Sequence, residues 1–171
     1  MSSAPRRLVV MRHAKAEAVA ASDLERALTE RGRTEAAQAG EWLSGLGFVP
    51  DHALVSAAVR TRDTWACVAE SAGWDLEPDV DSGLYAAGPE AAVDLLRLVP
   101  AEVTHLIVVG HNPTVSHVAQ LLSDGQGDEA AARAMAGGHP TSACAVFDVE
   151  EEWSELGFGD GRLVAFHAGR D

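Results

Sequence analysis

The sequence has few cysteines, few aromatic residues and no long apolar run. Its two cysteines, Cys67 and Cys144, are too few for a disulfide framework and are not spaced as a zinc or redox pair, so we expect two small buried side chains. No run reaches the roughly 18 apolar residues that cross a bilayer, and residues 1–7 precede no apolar stretch of signal-peptide length. We therefore expect a cytoplasmic protein that does not bind membranes.

Basic residues are also scarce, and they are unevenly distributed. The 171 residues include 26 acidic and 13 basic side chains, a formal net charge of −13, which disfavours nucleic acid as a partner. Residues 1–62 nevertheless hold nine of those bases and only seven acids. Lys15 is the only lysine, so the other bases are arginines, whose planar guanidinium suits phosphate or carboxylate. A GC-rich genome would also enrich arginine, so the positions of the arginines are better evidence of function than their number.

Short apolar runs alternate with helical patterns along the chain, without an internal repeat or an interdomain linker. The predicted strands are 8–11, 53–55 and 106–109, a candidate strand at 74–78, and a hairpin of 143–149 with 163–166. The predicted helices run from Thr29 to about Leu46, from Val59 to about Ser71, from Pro89 and from Pro113. Residues 124–139 show no clear period. This order predicts an α/β fold for residues 1–171, a single three-layer α/β/α domain with a mostly parallel central sheet.

Polar side chains follow three predicted strands where each strand ends. They are Arg12 and His13, then Ser56 with Arg60, then His111 with Asn112. Ligands of open α/β sheets bind beyond the carboxyl ends of the strands, so we expect these side chains to meet. Guanidinium groups hold the oxygens of a tetrahedral dianion, and an imidazole attacks phosphorus or donates a hydrogen bond. The sequence therefore predicts a phosphate site.

Other cofactor-binding patterns are missing. Neither G-x-G-x-x-G nor G-x-x-x-x-G-K-[ST] occurs, which excludes a nucleotide P-loop. The remaining histidines lack the spacing of metal ligands, so no metal or other cofactor is expected. A histidine at a strand end is more often a capping or surface residue than a catalyst. The two arginines that accompany His13 and His111 make a catalytic role the stronger interpretation.

Four segments in order resemble the histidine phosphatase superfamily, which has the phosphoglycerate mutase-like fold. They are Leu8–Ala14 (LVVMRHA), Leu28-Thr29-x-x-Gly32, Ser56-x-x-x-Arg60 and Gly110–Pro113 (GHNP). The stretch from Ser22 to Thr29 and the short chain look most like the SixA-type phosphohistidine phosphatases. The resemblance implies a metal-independent phosphatase with a covalent phosphohistidine intermediate.

The resemblance also implies roles for individual residues. His13 would be the nucleophile, and Arg12, Arg60 and His111 would hold the phosphoryl oxygens. We place Asn112, Asp23 and Ser56 with them as substrate-binding residues. Nearby cations lower the pKa of an imidazole, which would keep the His13 ring neutral and able to attack.

The sequence departs from the family pattern at several positions. Ala14 replaces the usual glycine, and Arg60–Thr64 (RTRDT) replaces R-A-x-Q-T. Larger members take a proton-donating glutamate from a stretch that here reads Asp81–Tyr85 (DSGLY). That stretch contains no glutamate. Asp23, in the loop after the first motif, is a candidate for the proton donor, and it could equally pair with Arg26 and hold its loop.

The same comparison bears on the substrate. Only about ten residues near 79–88 are free between predicted elements, too few for the helical lid of larger members. The open site this implies would admit phosphohistidine on a protein. The alternatives are a small phosphorylated substrate, as for a phosphomonoesterase of the same superfamily, or a weakly active protein that only binds phosphoryl groups.

Overall fold

The fold is built around one mixed β-sheet, in a computed structural model that describes residues 4–168. Within that range the six strands are β1 (Arg6–Arg12), β2 (His52–Ser56), β3 (Asp79–Asp81), β4 (His105–Gly110), β5 (Cys144–Val149) and β6 (Gly161–His167). Their order across the sheet is β3-β2-β4-β1-β5-β6. The first four strands are parallel, whereas β5 is antiparallel to both of its neighbours. The start of β5 therefore lies at the edge where β1, β2 and β4 end.

Helices cover both faces of the sheet. In the described part of the chain they are α1 (Glu30–Gly45), α2 (Val59–Ala72), α3 (Pro89–Arg97), α4 (Thr114–Leu122) and α5 (Glu129–Ala136). Buried residues of α1 and α2 pack on one face, and those of α3, α4 and α5 pack on the other. The predicted three-layer α/β/α domain with a mostly parallel sheet is confirmed.

Alternate residues of β1 contribute to the two separate cores. Leu8 and Val10 pack with the α3–α5 layer, while Val9 and Met11 pack with the α1–α2 layer. All four side chains are at most 1% exposed. A strand that is buried on both faces needs an apolar residue at every position, which explains the unbroken apolar run in the sequence.

The start of α1 holds the loop that follows β1. The Thr29 side chain caps the helix by accepting a hydrogen bond of 2.9 Å from the Gly32 amide. Gly32 packs so closely on the backbone of Lys15 that a Cβ atom would lie 2.1 Å from the Lys15 carbonyl oxygen. The Leu28-Thr29-x-x-Gly32 segment therefore combines a helix cap with a close approach that only glycine allows.

Two sequence predictions differ from the structure. The predicted strand at 74–78 is wrong, because β3 begins only at Asp79. Trp74 instead stacks on Trp65, with ring centroids 5.9 Å apart, so its apolar side chain covers the core without strand pairing. The region without a clear period contains α5, whose first turn is capped by Asp128. Alanines on several sides of this helix hide its period in the sequence.

The segment before α3 is short, as the sequence predicted. Residues 79–88 hold β3 and a single 3₁₀ turn at Ser82–Leu84, after which α3 begins at Pro89. No helix is inserted there in the described range, so the predicted absence of a large helical lid is confirmed. The edge of the sheet where the parallel strands end remains open.

Candidate active site

The side chains predicted from three strand ends meet at one edge of the sheet. The register of β1 with β4 pairs Arg12 with Gly110, so His13 and His111 follow at neighbouring positions. Their ring centroids are 5.5 Å apart. A cleft of about 320 Å³ lies here and is lined by Arg12, His13, Lys15, Ala16, Arg26, Arg60, His111, Asn112 and Thr141. Four of these lining residues are basic and none is acidic.

The His13 ring is held in one tautomer. Nδ1 lies 2.7 Å from the carbonyl oxygen of Ala14, which can only accept, so Nδ1 carries the proton and donates. In the neutral ring the lone pair is then on Nε2. The residue is 8% exposed. Burial, and to a smaller extent the charges of His111, Arg12 and Arg60, lower the pKa of His13 from 6.5 to about 3, so the ring is neutral at physiological pH.

His111 is held from below by Ser56. The Ser56 hydroxyl lies 2.7 Å from Nε2 of His111, and Ser56 has no exposed surface. Burial lowers the pKa of His111 to about 4, and the charge of Arg60 adds to this. We predicted Ser56 as a substrate-binding residue, but its buried hydroxyl contacts His111 and does not line the cleft. Its position at the last residue of β2 directs it into the protein, beneath the cleft.

A backbone carbonyl joins Arg12 to Asn112. The carbonyl oxygen of His139 accepts hydrogen bonds from Arg12 Nη1 at 3.2 Å and from Asn112 Nδ2 at 2.8 Å. His139 was not predicted to contribute, since only its spacing as a metal ligand was considered. The segment before β5 reaches the site because β5 is antiparallel, and Thr141 lines the cleft for the same reason. The contribution of His139 was missed because the antiparallel pairing of β5 with β1 was not predicted from the sequence.

Arg60 and Asp23 are paired. Arg60 donates through Nη1 to the Asp23 carbonyl oxygen at 2.8 Å and through Nη2 to Asp23 Oδ2 at 3.0 Å. Asp23 Oδ1 accepts from Arg26 Nε at 2.9 Å, which is the pairing that the sequence left open. Hydrogen bonds from Tyr85, Arg26 and Arg60 hold the pKa of the Asp23 carboxyl far below its usual value. Asp23 therefore has no proton to donate near neutral pH, and the carboxylate that we predicted to bind substrate is bonded to Arg26, Arg60 and Tyr85.

Within residues 4–168 no group of three or more His, Cys, Asp or Glu side chains is placed to hold a metal ion. In the same range we found no helix with the length and apolar character needed to cross a membrane.

Acid is expected to destabilise the fold through its buried histidines. Burial lowers the pKa of His13 to about 3 and that of His139 to about 4, from an ordinary value of 6.5. At pH values between the lowered pKa of each ring and 6.5, the unfolded chain binds protons that the folded chain does not. The free energy of unfolding should therefore fall from about pH 7 to about pH 5, by up to about 1.4 kcal/mol per pH unit for each ring.

Urea unfolding across that range measures this slope. The His139→Phe variant should have a shallower slope, because it lacks one of the buried rings. An equal slope in the variant and the wild type would contradict the expectation.

Comparison with known proteins agrees with this geometry. Residues 8–85 match the histidine phosphatase superfamily (branch 1). An uncharacterized protein of Mycobacterium tuberculosis is 38% identical over 162 residues, which cover 94% of this chain and 100% of the relative. A candidate phosphohistidine phosphatase SixA from Nakamurella multipartitia has a TM-score of 0.85 and 28% identity, with 100% of both chains covered. A second candidate SixA, from Agrobacterium tumefaciens, has a TM-score of 0.79 and 29% identity, covering 97% of this chain and 99% of that one.

These likenesses confirm the phosphoglycerate mutase-like fold predicted from the sequence. The matched region contains Arg12, His13 and Arg60, three of the side chains that line the cleft. The chain therefore belongs to the histidine phosphatase superfamily, and its fold is SixA-like.

Proposed function

We propose that this protein is a metal-independent phosphatase that hydrolyses phosphohistidine on another protein through a covalent intermediate on His13. Membership of the superfamily supports a phosphatase. The observation that carries the proposal is the neutral ring of His13 in a cleft lined by four basic side chains. A neutral imidazole is a nucleophile, and the surrounding cations stabilise charge on a transferring phosphoryl group.

Two displacements at phosphorus make up the proposed reaction. Nε2 of His13 forms a bond to phosphorus while the bond to the substrate's ring nitrogen breaks, and the departing imidazole takes a proton from water. A water molecule then attacks the phosphoryl group on His13, which releases inorganic phosphate and the neutral ring. In the proposed reaction Arg12, Arg60 and His111, which line the same cleft, bind the phosphoryl oxygens in both steps.

The shape of the site supports a phosphoryl group that is borne on a protein. No helical lid follows β3 within the described residues, so the cleft stays open to a large partner. An imidazole leaving group becomes protonated near neutral pH, so it needs a dedicated proton donor less than an alkoxide does. The ionised state of Asp23 and the lack of a glutamate in Asp81–Tyr85 agree with such a leaving group.

A comparison of substrates tests the proposal. We expect kcat/KM for a phosphohistidine-bearing protein to exceed the values for sugar phosphates and glycerate phosphates. The His13→Ala variant serves as the control for contaminating phosphatases. A preference of about tenfold, or roughly 1.4 kcal/mol, for any alkyl phosphate ester would instead favour a small-molecule phosphatase.

Activity is expected to survive removal of divalent metals. Arg12, Arg60 and Lys15 already supply positive charge in the cleft, so charge neutralisation does not require an ion. The protein is incubated with a strong chelator, desalted and assayed with and without added divalent ions. Loss of most activity, with recovery on adding one ion, would refute a metal-independent mechanism.

A further inference from the structure

Asp23 connects three elements that are distant in the sequence. It begins the 3₁₀ turn Asp23–Glu25 in the loop between β1 and α1. Its carboxylate accepts from Arg60 in α2 and from the hydroxyl of Tyr85, which directly follows the turn before α3. A single carboxylate thus ties the loop after β1 to α2 and to the segment before α3.

The pairing with Asp23 leaves Arg60 able to bind a ligand. Arg60 is only 6% exposed, and two of its five N–H donors are used on the carbonyl and carboxylate oxygens of Asp23. Arg60 Nε has no hydrogen-bond partner among residues 4–168. Two fixed donors set the plane of the guanidinium, while the second N–H of each terminal nitrogen is not used on Asp23 and can donate to phosphoryl oxygens.

Tyr85 is placed to stabilise this arrangement. Its ring centroid lies 5.9 Å from Cζ of Arg60 and 5.4 Å from the ring centroid of His111, which it meets edge-on at 87°. Its hydroxyl donates to the same oxygen, Asp23 Oδ2, that Arg60 Nη2 contacts. Tyr85 therefore contacts both of the groups that we place on the phosphoryl oxygens, and its hydroxyl also bonds to the carboxylate that holds Arg60.

We propose that Asp23 and Tyr85 are positioning residues that fix the guanidinium of Arg60 for phosphoryl transfer. The kinetic part of this inference rests on the proposed function, whereas the contact between the two residues does not. The Asp23 carboxylate bonds to Arg60 and to the Tyr85 hydroxyl, and the Tyr85 ring packs against His111, so each residue would act through Arg60 or His111.

Positioning predicts a particular split between kcat and KM. Removing the negative charge of Asp23 strengthens the attraction of the site for a phosphate dianion. This gain in binding offsets the binding lost when Arg60 is no longer held in place, so KM changes little. Nothing offsets the loss in kcat that follows from a misplaced guanidinium. We therefore expect Asp23→Asn to lower kcat by roughly ten- to a hundredfold while KM changes by less than about threefold.

The chain offers a matched control for this substitution. Glu25 lies in the same 3₁₀ turn, and its side chain bonds to Ser22 and not to Arg60. Glu25→Gln removes the same charge and is expected to keep kcat within about twofold of the wild type. Tyr85→Phe is the second test variant, with an expected loss in kcat of about three- to tenfold, in case Asp23→Asn does not fold.

A titration tests the contact independently of activity. Tyr85 is the only tyrosine of the chain, so tyrosinate absorbance reports on this residue alone. Its pKa is raised, chiefly by the hydrogen bond to Asp23, while the other charged or titratable groups facing it are Arg60 and His111. Asp23→Asn should lower the pKa of Tyr85, and Glu25→Gln should leave it at the wild-type value.

The two readouts separate failure of this inference from failure of the proposed function. Equal kcat values for Asp23→Asn and Glu25→Gln, with Arg60→Ala impaired, would overturn the positioning role and leave the phosphatase intact. A wild-type protein that hydrolyses no phosphorylated compound would overturn the proposed function. In that case the titration decides, since an unshifted Tyr85 pKa in Asp23→Asn overturns the network and a lowered one supports it.

Discussion

Replacement of His13 by alanine is expected to abolish turnover and leave the fold intact. Alanine has no nucleophile, and in the proposed reaction the neighbouring ring of His111, whose Nε2 lies 2.7 Å from the Ser56 hydroxyl, serves the phosphoryl oxygens and does not attack phosphorus. We expect kcat to fall by about a thousandfold or more. The fold should persist because, among residues 4–168, the His13 side chain makes a single hydrogen bond, to the adjacent residue Ala14.

Acid quenching during turnover of labelled substrate identifies the nucleophile. The label should appear on a histidine in an acid-labile bond, and the His13→Ala variant should trap none. His117→Ala is the matched control, because His117 lies on an exposed face of α4 and does not line the cleft. Label on serine or cysteine, or near-native turnover by His13→Ala, would show that the proposed mechanism is wrong.

Replacement of Arg60 by alanine is expected to produce the second-largest loss. Arg60 is buried, and Asp23 holds its guanidinium in place, so it is a preorganised donor toward charge that develops on the phosphoryl oxygens. Removing one such donor should weaken transition-state stabilisation by about 2 to 4 kcal/mol. At 1.36 kcal/mol per factor of ten, this corresponds to a fall in kcat/KM of roughly thirty- to a thousandfold.

A neighbouring arginine provides the control for charge. Arg62 lies two residues further along α2, is exposed and donates to the Ala57 carbonyl oxygen, so Arg62→Ala removes the same charge outside the cleft. Thermal unfolding of both variants separates lost catalysis from lost stability. If Arg60→Ala and Arg62→Ala had equal kcat/KM, Arg60 would have no role in the transition state.

The sequence predicted the elements whose signals are local. The apolar run Leu8–Met11 predicts a strand because a strand buried on both faces must be apolar throughout. Parallel strands end at a common edge, so the residues after each strand could be assigned to one site without coordinates. Arg12, His13, Arg60, His111 and Asn112 were assigned in this way, and the structure places all five around one cleft.

Only the tertiary structure decided which side chains pair with one another. Ser56 follows a strand end as the cleft residues do, and Asp23 was assigned from the resemblance, yet one lies beneath His111 and the other holds Arg60. The partners of Asp23 lie up to 62 residues away, at Tyr85, and no local pattern encodes contacts across such separations.

The segment before β5 shows the same limit. The sequence predicted the hairpin of β5 with β6 but not that β5 pairs antiparallel to β1, and this pairing brings the His139 carbonyl to Arg12. Apolar periodicity determines which faces of a strand or helix are buried. The direction and order of strands depend on the packing of the whole chain, and those two properties complete the site.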